Sequence, residues 1–451
     1  MSQILTSAKT KKLKSLFGYG IGDFGLNIYW QTVSMFLVYW YTQIAGLDPR
    51  IAGFIFFLGM AWDAISDPIV ATLTERVTTK MGTYRPFLLF GSAITACAFV
   101  LLFWVPSVEG PSKIIFLICT CLIFRTSYTM VGIPYSAMAS RITYDSTERA
   151  EYSGARMFFA FLALVLVSMW LWPSVEYFSQ KTGSEAQAFQ ITAAIGGAVA
   201  TLALWLCFSM TREKPLPAKS IKSEKVWNGI WLSLTSNQAL RVLLPIIMLS
   251  TAASSALAIT LIFYIEANAA IFASKEVLFT SFAVAMLIMV PIWTWLIKIW
   301  GRKKIWIFAA LGYLVVSMHM MFGTQIIIAG VPIHIMLFMA LSSAHAVIFW
   351  ALIPDCVEFG QLESGIRSEA SVYGTVLITQ KMTGGLVGLT IGFVLASFGF
   401  TQDVKSSPSL AEDLNTFIAV FPTLLILLSI IPMLLLSMTR SKHNQIIGQL
   451  E

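Results

Sequence analysis

The feature that most constrains this chain is a series of apolar runs, each about 20 residues long and each able to cross a bilayer as one helix. They cover roughly 17–44, 51–75, 87–106, 113–138, 153–173 and 190–211, then 242–268, 276–298, 304–323, 331–353, 372–399 and 414–437. Inside hydrocarbon every backbone N–H and C=O must be satisfied within the spanning element, so these runs are expected to be helices. A polar, basic stretch from Arg212 to Arg241 divides the twelve into two groups of six. The expected fold is therefore all-α and membrane-embedded, with an N-terminal six-helix bundle over 1–211, a linker over 212–241 and a C-terminal six-helix bundle over 242–451. Pro134, Pro245, Pro291 and Pro422 fall inside predicted spans and are expected to kink them.

Composition agrees. Only 12% of the 451 residues are charged, about half the share of a soluble domain, and the mean hydropathy is +0.77. The net charge of +7 would fit a nucleic-acid partner if it were clustered on one soluble face. Instead it follows membrane topology. With the N-terminus inside, 22 of the 30 lysines and arginines fall on the cytoplasmic side and five on the other, while Arg125, Arg156 and Lys381 lie in or at the membrane. Both termini are therefore expected to be cytoplasmic. The lysines before the first span resemble the charged start of a signal peptide, but Asp23, Asn27 and Gln31 in that span and the lack of a small-residue cleavage site read as an uncleaved helix. The five cysteines read as small apolar filler, and four histidines without an HExxH-type pair leave no metal centre and no catalytic constellation in view. The chain is expected to be no enzyme.

Polar residues inside the spans carry the functional signal. Asp63 and Asp67 in AWDAISDPIV stand one helical turn apart on one face. A carboxylate at mid-bilayer costs about 2.5–3.5 kcal/mol on insertion scales, so the pair should face a cavity, a cation or a cationic partner. Asp23, Asn27, Gln31 and Ser34 fall within an arc of about 80° on span 1, a polar stripe suited to line water or substrate. On span 4, Arg125, Thr129, Gly132 and Ser136 share one face, and laying spans 2 and 4 antiparallel brings Arg125 and Asp63 to comparable depth. A structural ion pair and a pair that opens with substrate or proton binding both fit. Lys381 sits too deep in span 11 for easy snorkelling and calls for a substrate or a carboxylate. Tyr373 shares that span, beside a stripe formed by Gly384, Gly388 and Gly392 that suits close helix contact. Trp350 either stacks on a sugar ring or anchors the interface, and His319 and His345 read as packed core histidines.

Four segments together, GYGIGDFGLN (18–27), WDAISDP with GTYRP (62–68 and 82–86), IPYSAM with TERAEYSGAR (133–138 and 147–156), and PDCVEFGQLESGIRSEASVY (354–373), resemble the glycoside–pentoside–hexuronide:cation symporters. This is a branch of the major facilitator superfamily, whose two six-helix bundles are related by an axis along the membrane normal. The resemblance spans about Gly18 to Thr439. It implies a multi-pass protein of the bacterial cytoplasmic membrane that imports a sugar, glycoside or sugar acid with a proton or sodium ion, and no other cofactor. It places cation binding on Asp63, Ser66, Asp67 and Thr129. Sugar contacts fall on Asn27, Gly132, Arg156 and Lys381, to which the residue reading adds Asp23, Gln31, Arg125, Trp350 and Tyr373. Gating charges fall on Arg85, Arg149, Asp355, Glu358 and Arg367. This chain departs from the pattern where Asn27 and Gly132 replace carboxylates and Arg125 replaces a glycine, which favours protons over sodium and an anionic or polar sugar. A carrier of an amphiphilic or organic anion is the alternative, against which the polar stripe of span 1 argues. The sequence leaves the oligomeric state open.

Overall fold

A computed structural model describes residues 2–77, 79–143, 146–214, 231, 234–364, 369–401 and 408–436. The chain is almost entirely helical: α1 (Ser2–Tyr39), α2 (Pro49–Glu75), α3 (Ser92–Leu102), α4 (Pro111–Ile142), α5 (Ser146–Thr182), α6 (Glu185–Met210), α7 (Gln238–Ala267), α8 (Lys275–Trp300), α9 (Arg302–Phe322), α10 (Ile333–Ser364), α11 (Glu369–Ser397), α12 (Pro408–Leu428) and the short α13 (Ile430–Leu435). Wider π-helical turns continue α1 over Trp40–Ile44 and precede α3 over Phe87–Gly91. Among the described residues, ten helices are long and apolar enough to cross a membrane by themselves. The polar stripe of α1 and the shorter Phe87–Leu102 segment bring the helices to the twelve expected.

Several helices outrun their apolar stretches. The predicted fifth span of 153–173 is part of a 37-residue helix, because backbone hydrogen bonding continues into water once hydrophobicity stops. Conversely, Ser429 interrupts the last span. Its hydroxyl accepts from Trp306 Nε1 at 2.9 Å and donates to the Ile426 carbonyl, and the helix restarts at Ile430.

The fold comprises two compact units. One is Met1–Gly46 with Trp62–Lys222, and the other is Leu47–Ala61 with Ser223–Glu451. In the first, α1 packs lengthwise on α5 and α6, and within its core Tyr19 stacks on Tyr135 and meets Tyr152 edge-on. In the second, α7 packs on α10, α11 and α12 around Leu243, Ile247, Trp306 and Ile353. The glycine stripe of α11 meets the first half of α2 within that unit. A Cβ at Gly388 would lie 2.4 Å from Phe56, and one at Gly392 would lie 2.4 Å from the Pro49 carbonyl. Close backbone approach is what small residues allow between membrane helices.

Candidate functional site

In the first unit, α2 and α4 are joined by three side-chain bonds at mid-helix. Trp62 Nε1 donates to Thr126 Oγ1 at 2.8 Å, Arg125 Nη1 to Asp63 Oδ2 at 3.2 Å, and the Thr129 hydroxyl to Asp67 Oδ1 at 2.9 Å. The pairing corrects one expectation. Asp63–Arg125 and Asp67–Thr129 share the same offset of 62 positions, so the two helices run in the same direction rather than antiparallel. Alternate spans of one bundle necessarily share direction. The depth match survives because each partner lies 14 residues past the first residue of its helix, Pro49 or Pro111.

Asp63 is wholly buried and Arg125 is 1% exposed. Tyr41, Cys121 and Tyr128 lie near enough to the guanidinium to interact with it electrostatically. Asp67, one turn on, is half-buried. Between them, Ser66 is buried with its hydroxyl lacking a hydrogen-bond partner among the described residues.

A second polar group joins α1 to α5. Arg156 Nε donates to Asp23 Oδ1 at 3.0 Å, and Asn27 Nδ2 donates to Asp23 Oδ2 at 3.1 Å. The guanidinium also lies over the Tyr135 ring, 5.3 Å from its centroid. Asp23 is buried while the Arg156 side chain is 36% exposed. The arginine can therefore offer donors outward while Asp23 fixes its other edge. Gln31 lies two turns along α1 from Asp23 and is half-buried, and the buried hydroxyl of Ser34 has no hydrogen-bond partner among the described residues. At Gly132 there is room: an added Cβ would meet only Tyr128, at 3.8 Å.

The second unit holds the remaining predicted substrate residues. Lys381 on α11 is half-buried, and Tyr373, one helical stretch earlier, packs against the unit's hydrophobic core. Trp350 is 37% exposed beside Phe349. Of the gating charges, Asp355 is in an ion pair with Arg302, the first residue of α9, while Glu358 is half-buried on the same helix as Asp355. Arg367 and the side chain of Arg149 lie outside the described residues. His345 is fully enclosed, edge-on to Trp306 and Tyr313, as a packed core histidine would be. Among the described residues no group of three or more His, Cys, Asp or Glu could hold a metal ion.

Arg85 docks within the first unit. Its Nη2 donates to the Phe208 carbonyl at 2.7 Å, its Nη1 to the Met81 carbonyl at 3.1 Å, and its guanidinium lies 4.2 Å from the centroid of the Phe208 ring. Beside it, the carboxylate of Glu213 accepts from the backbone N–H groups of Thr83, Tyr84 and Arg85 at 2.9, 2.8 and 2.9 Å. Gly82, at φ +115°, makes the turn; a Cβ there would sit 2.6 Å from Glu213 Oε1. A cavity of about 540 Å³ borders this clasp, lined by Lys80, Arg85, Arg141, Arg212 and Lys214 among others. The sequence reading missed Glu213, Trp62, Thr126 and Arg302. The two α2–α4 partners carried a usable signal, since they flank Asp63 and Arg125. Glu213 carried none, because its partners are backbone groups about 130 residues away.

An uncharacterized symporter of Bacillus subtilis, YnaJ, is 26% identical, with 99% of this chain and 97% of the relative aligned. A glucuronide carrier protein homolog of Escherichia coli is 26% identical over 97% of this chain and 95% of its own. Among solved structures, an inward-facing bacterial homolog of the lysosomal transporter Spinster superposes with a TM-score of 0.69, covering 96% of this chain and 98% of that one at 13% identity. The family model for MFS/sugar transport proteins matches residues 18–440. The chain is a membrane transporter of the major facilitator fold, and it belongs to the MFS/sugar transport protein family.

Proposed function

We propose that this protein is a cation-coupled symporter that imports a sugar, glycoside or sugar acid across a bacterial cytoplasmic membrane, with both termini inside. The observation that carries the reading is the pair of mid-membrane carboxylates on α2, Asp63 and Asp67, each bonded to a side chain of α4. Such groups are expensive in a bilayer and characteristically mark ion and substrate pathways. The coupling ion, a proton or sodium, binds at Asp63, Ser66, Asp67 and Thr129. Asp23, Asn27, Gln31, Gly132 and Arg156 in the first unit, and Trp350, Tyr373 and Lys381 in the second, contact the sugar, with Arg125 completing the charge pattern. Arg156 and Lys381 each offer a cation suited to an acidic sugar, and the relative named as a glucuronide carrier homolog supports that class.

Alternating access then follows from charge compensation. Asp63 already has Arg125 beside it, so a state that closes without the ion strands the charge of Asp67, and ion and sugar together favour the conversion more than either alone. Arg85, Arg149, Asp355, Glu358 and Arg367 hold the cytoplasmic gate.

Counterflow of labelled uronates, neutral glycosides and sulfonated sugars in proteoliposomes tests the reading. Exchange of at least one class is expected, with coupled uptake lost in Asp63→Asn. Unchanged coupled uptake in that variant would sink the carboxylate assignment. Exchange of amphiphilic anions only would favour the alternative cargo.

A further inference from the structure

Arg125 is the most unusual residue of the first unit. It sits in CLIFRTSYT, an otherwise apolar stretch of α4, and its side chain is 2% exposed. Its guanidinium meets a carboxylate that is 0% exposed. A guanidinium is protonated at every pH a cell reaches, so Arg125 keeps a positive charge beside Asp63 whatever the ion conditions. The arginine cannot swing aside cheaply. The Trp62–Thr126 and Asp67–Thr129 bonds fix α2 against α4 on either side of it, and its side chain is buried.

We infer that Arg125 is a tethered counter-cation: it occupies the place at Asp63 that an alkali cation would take, and so makes the transporter indifferent to Na+ and Li+. This rests on the reading of Asp63 and Asp67 as the coupling carboxylates. The physical reason is twofold. A hard cation needs several oxygen ligands at about 2.3–2.6 Å, and one oxygen of Asp63 is already committed to the guanidinium. A second cation about 4 Å from the guanidinium is also repelled, by an amount that weakens binding roughly a thousandfold at an effective dielectric near 20. The charge that sodium would bring is already supplied by the chain. Ion selectivity at this site is thus written on α4, in a residue that is itself no oxygen ligand.

The test is thermal unfolding of the purified protein in NaCl, LiCl and choline chloride, with no sugar present. Its result is therefore separate from the counterflow measurement that decides the transport reading. The wild-type protein is expected to unfold at the same temperature in all three salts. Arg125→Gln exposes Asp63 to solvent ions and is expected to gain a Na+-dependent rise in Tm of about 2 °C or more over choline, abolished by adding Asp63→Asn. Arg125→Lys keeps the charge and is expected to stay silent. Stabilisation of the wild-type protein by Na+ that disappears in Asp63→Asn would overturn the inference, as would a folded Arg125→Gln protein that ignores Na+. Should Arg125→Gln fail to accumulate, Asp63→Asn/Arg125→Gln decides: its recovery would trace the failure to the uncompensated carboxylate and support the inference, and its failure would overturn the inference, because the arginine would then be needed for something other than charge.

Discussion

Glu213 closes the loop between α2 and α3 from a distance, and removing it has a calculable effect. Its two oxygens receive three backbone N–H groups, two on Oε1 and one on Oε2. A hydrogen bond to a charged group contributes about 1.5–3 kcal/mol when well buried. Glu213 is only half-buried, so about 2–3 kcal/mol for the set is the appropriate scale after discounting for solvent. At about 1.4 kcal/mol per tenfold, Glu213→Ala should speed local opening, and hence amide exchange at Thr83, Tyr84 and Arg85, by roughly 30- to 150-fold. Glu213→Gln retains one acceptor oxygen and should fall between the two. Gly82→Ala should reproduce the alanine effect, since its new methyl group would collide with the carboxylate at 2.6 Å. Hydrogen–deuterium exchange read on a peptide spanning 79–86 measures all three. Unchanged exchange in Glu213→Ala, with the rest of the protein protected as before, would mean that the Thr79–Gly82 backbone pair holds the loop unaided and would refute the reasoning.

Two further predictions concern packing and capping in the second unit. Gly392→Val places a branched side chain where even a Cβ meets the Pro49 carbonyl at 2.4 Å; backbone cannot yield as a flexible side chain can, so a loss of about 1–3 kcal/mol in thermal stability is expected, and a neutral result would mean that α11 can shift freely. Asn237 is buried, caps α7 by accepting from Leu240 N–H at 2.9 Å, and donates to the Cys356 carbonyl at 2.8 Å; Asn237→Ala should lower stability by about 2–3 kcal/mol, with Asn237→Ser recovering the capping share, and equal Tm values for all three would contradict that account.

How much of this was legible in the sequence depends on how local each cause is. The four-residue spacing of Asp63 and Asp67 and the arc of Asp23, Asn27 and Gln31 are properties of a single helix, and the structure keeps them. The Asp63–Arg125 pairing was legible from depth alone, because an arginine inside an apolar run leaves few possible partners. The direction of α4 relative to α2 was misread although span parity determines it, and Thr129 would have pointed to Asp67 once the helices were set parallel. The bond between Arg156 and Asp23 joins residues 133 positions apart and has no local trace. Helix ends were the weakest reading, since α5 continues past its apolar stretch on both sides and the last span breaks at a serine whose hydroxyl serves a tryptophan. The Glu213 clasp depends on main-chain donors, which every sequence contains and none advertises.

The Trp62–Thr126 bond has a consequence for how this protein can be watched. Trp62 immediately precedes Asp63 in the sequence and its partner Thr126 immediately follows Arg125, so the indole bond ties together the same two turns of α2 and α4 as the ion pair, while Trp62 is 38% exposed. Indole emission shifts with the local environment, and a change in the α2–α4 seam would change the bond that Trp62 makes. With the other tryptophans replaced, the colour of Trp62 becomes a gauge of the α2–α4 seam. It reports the keeping or loss of the indole–hydroxyl bond beside Asp63 and Arg125 in real time, without a label and without a substrate.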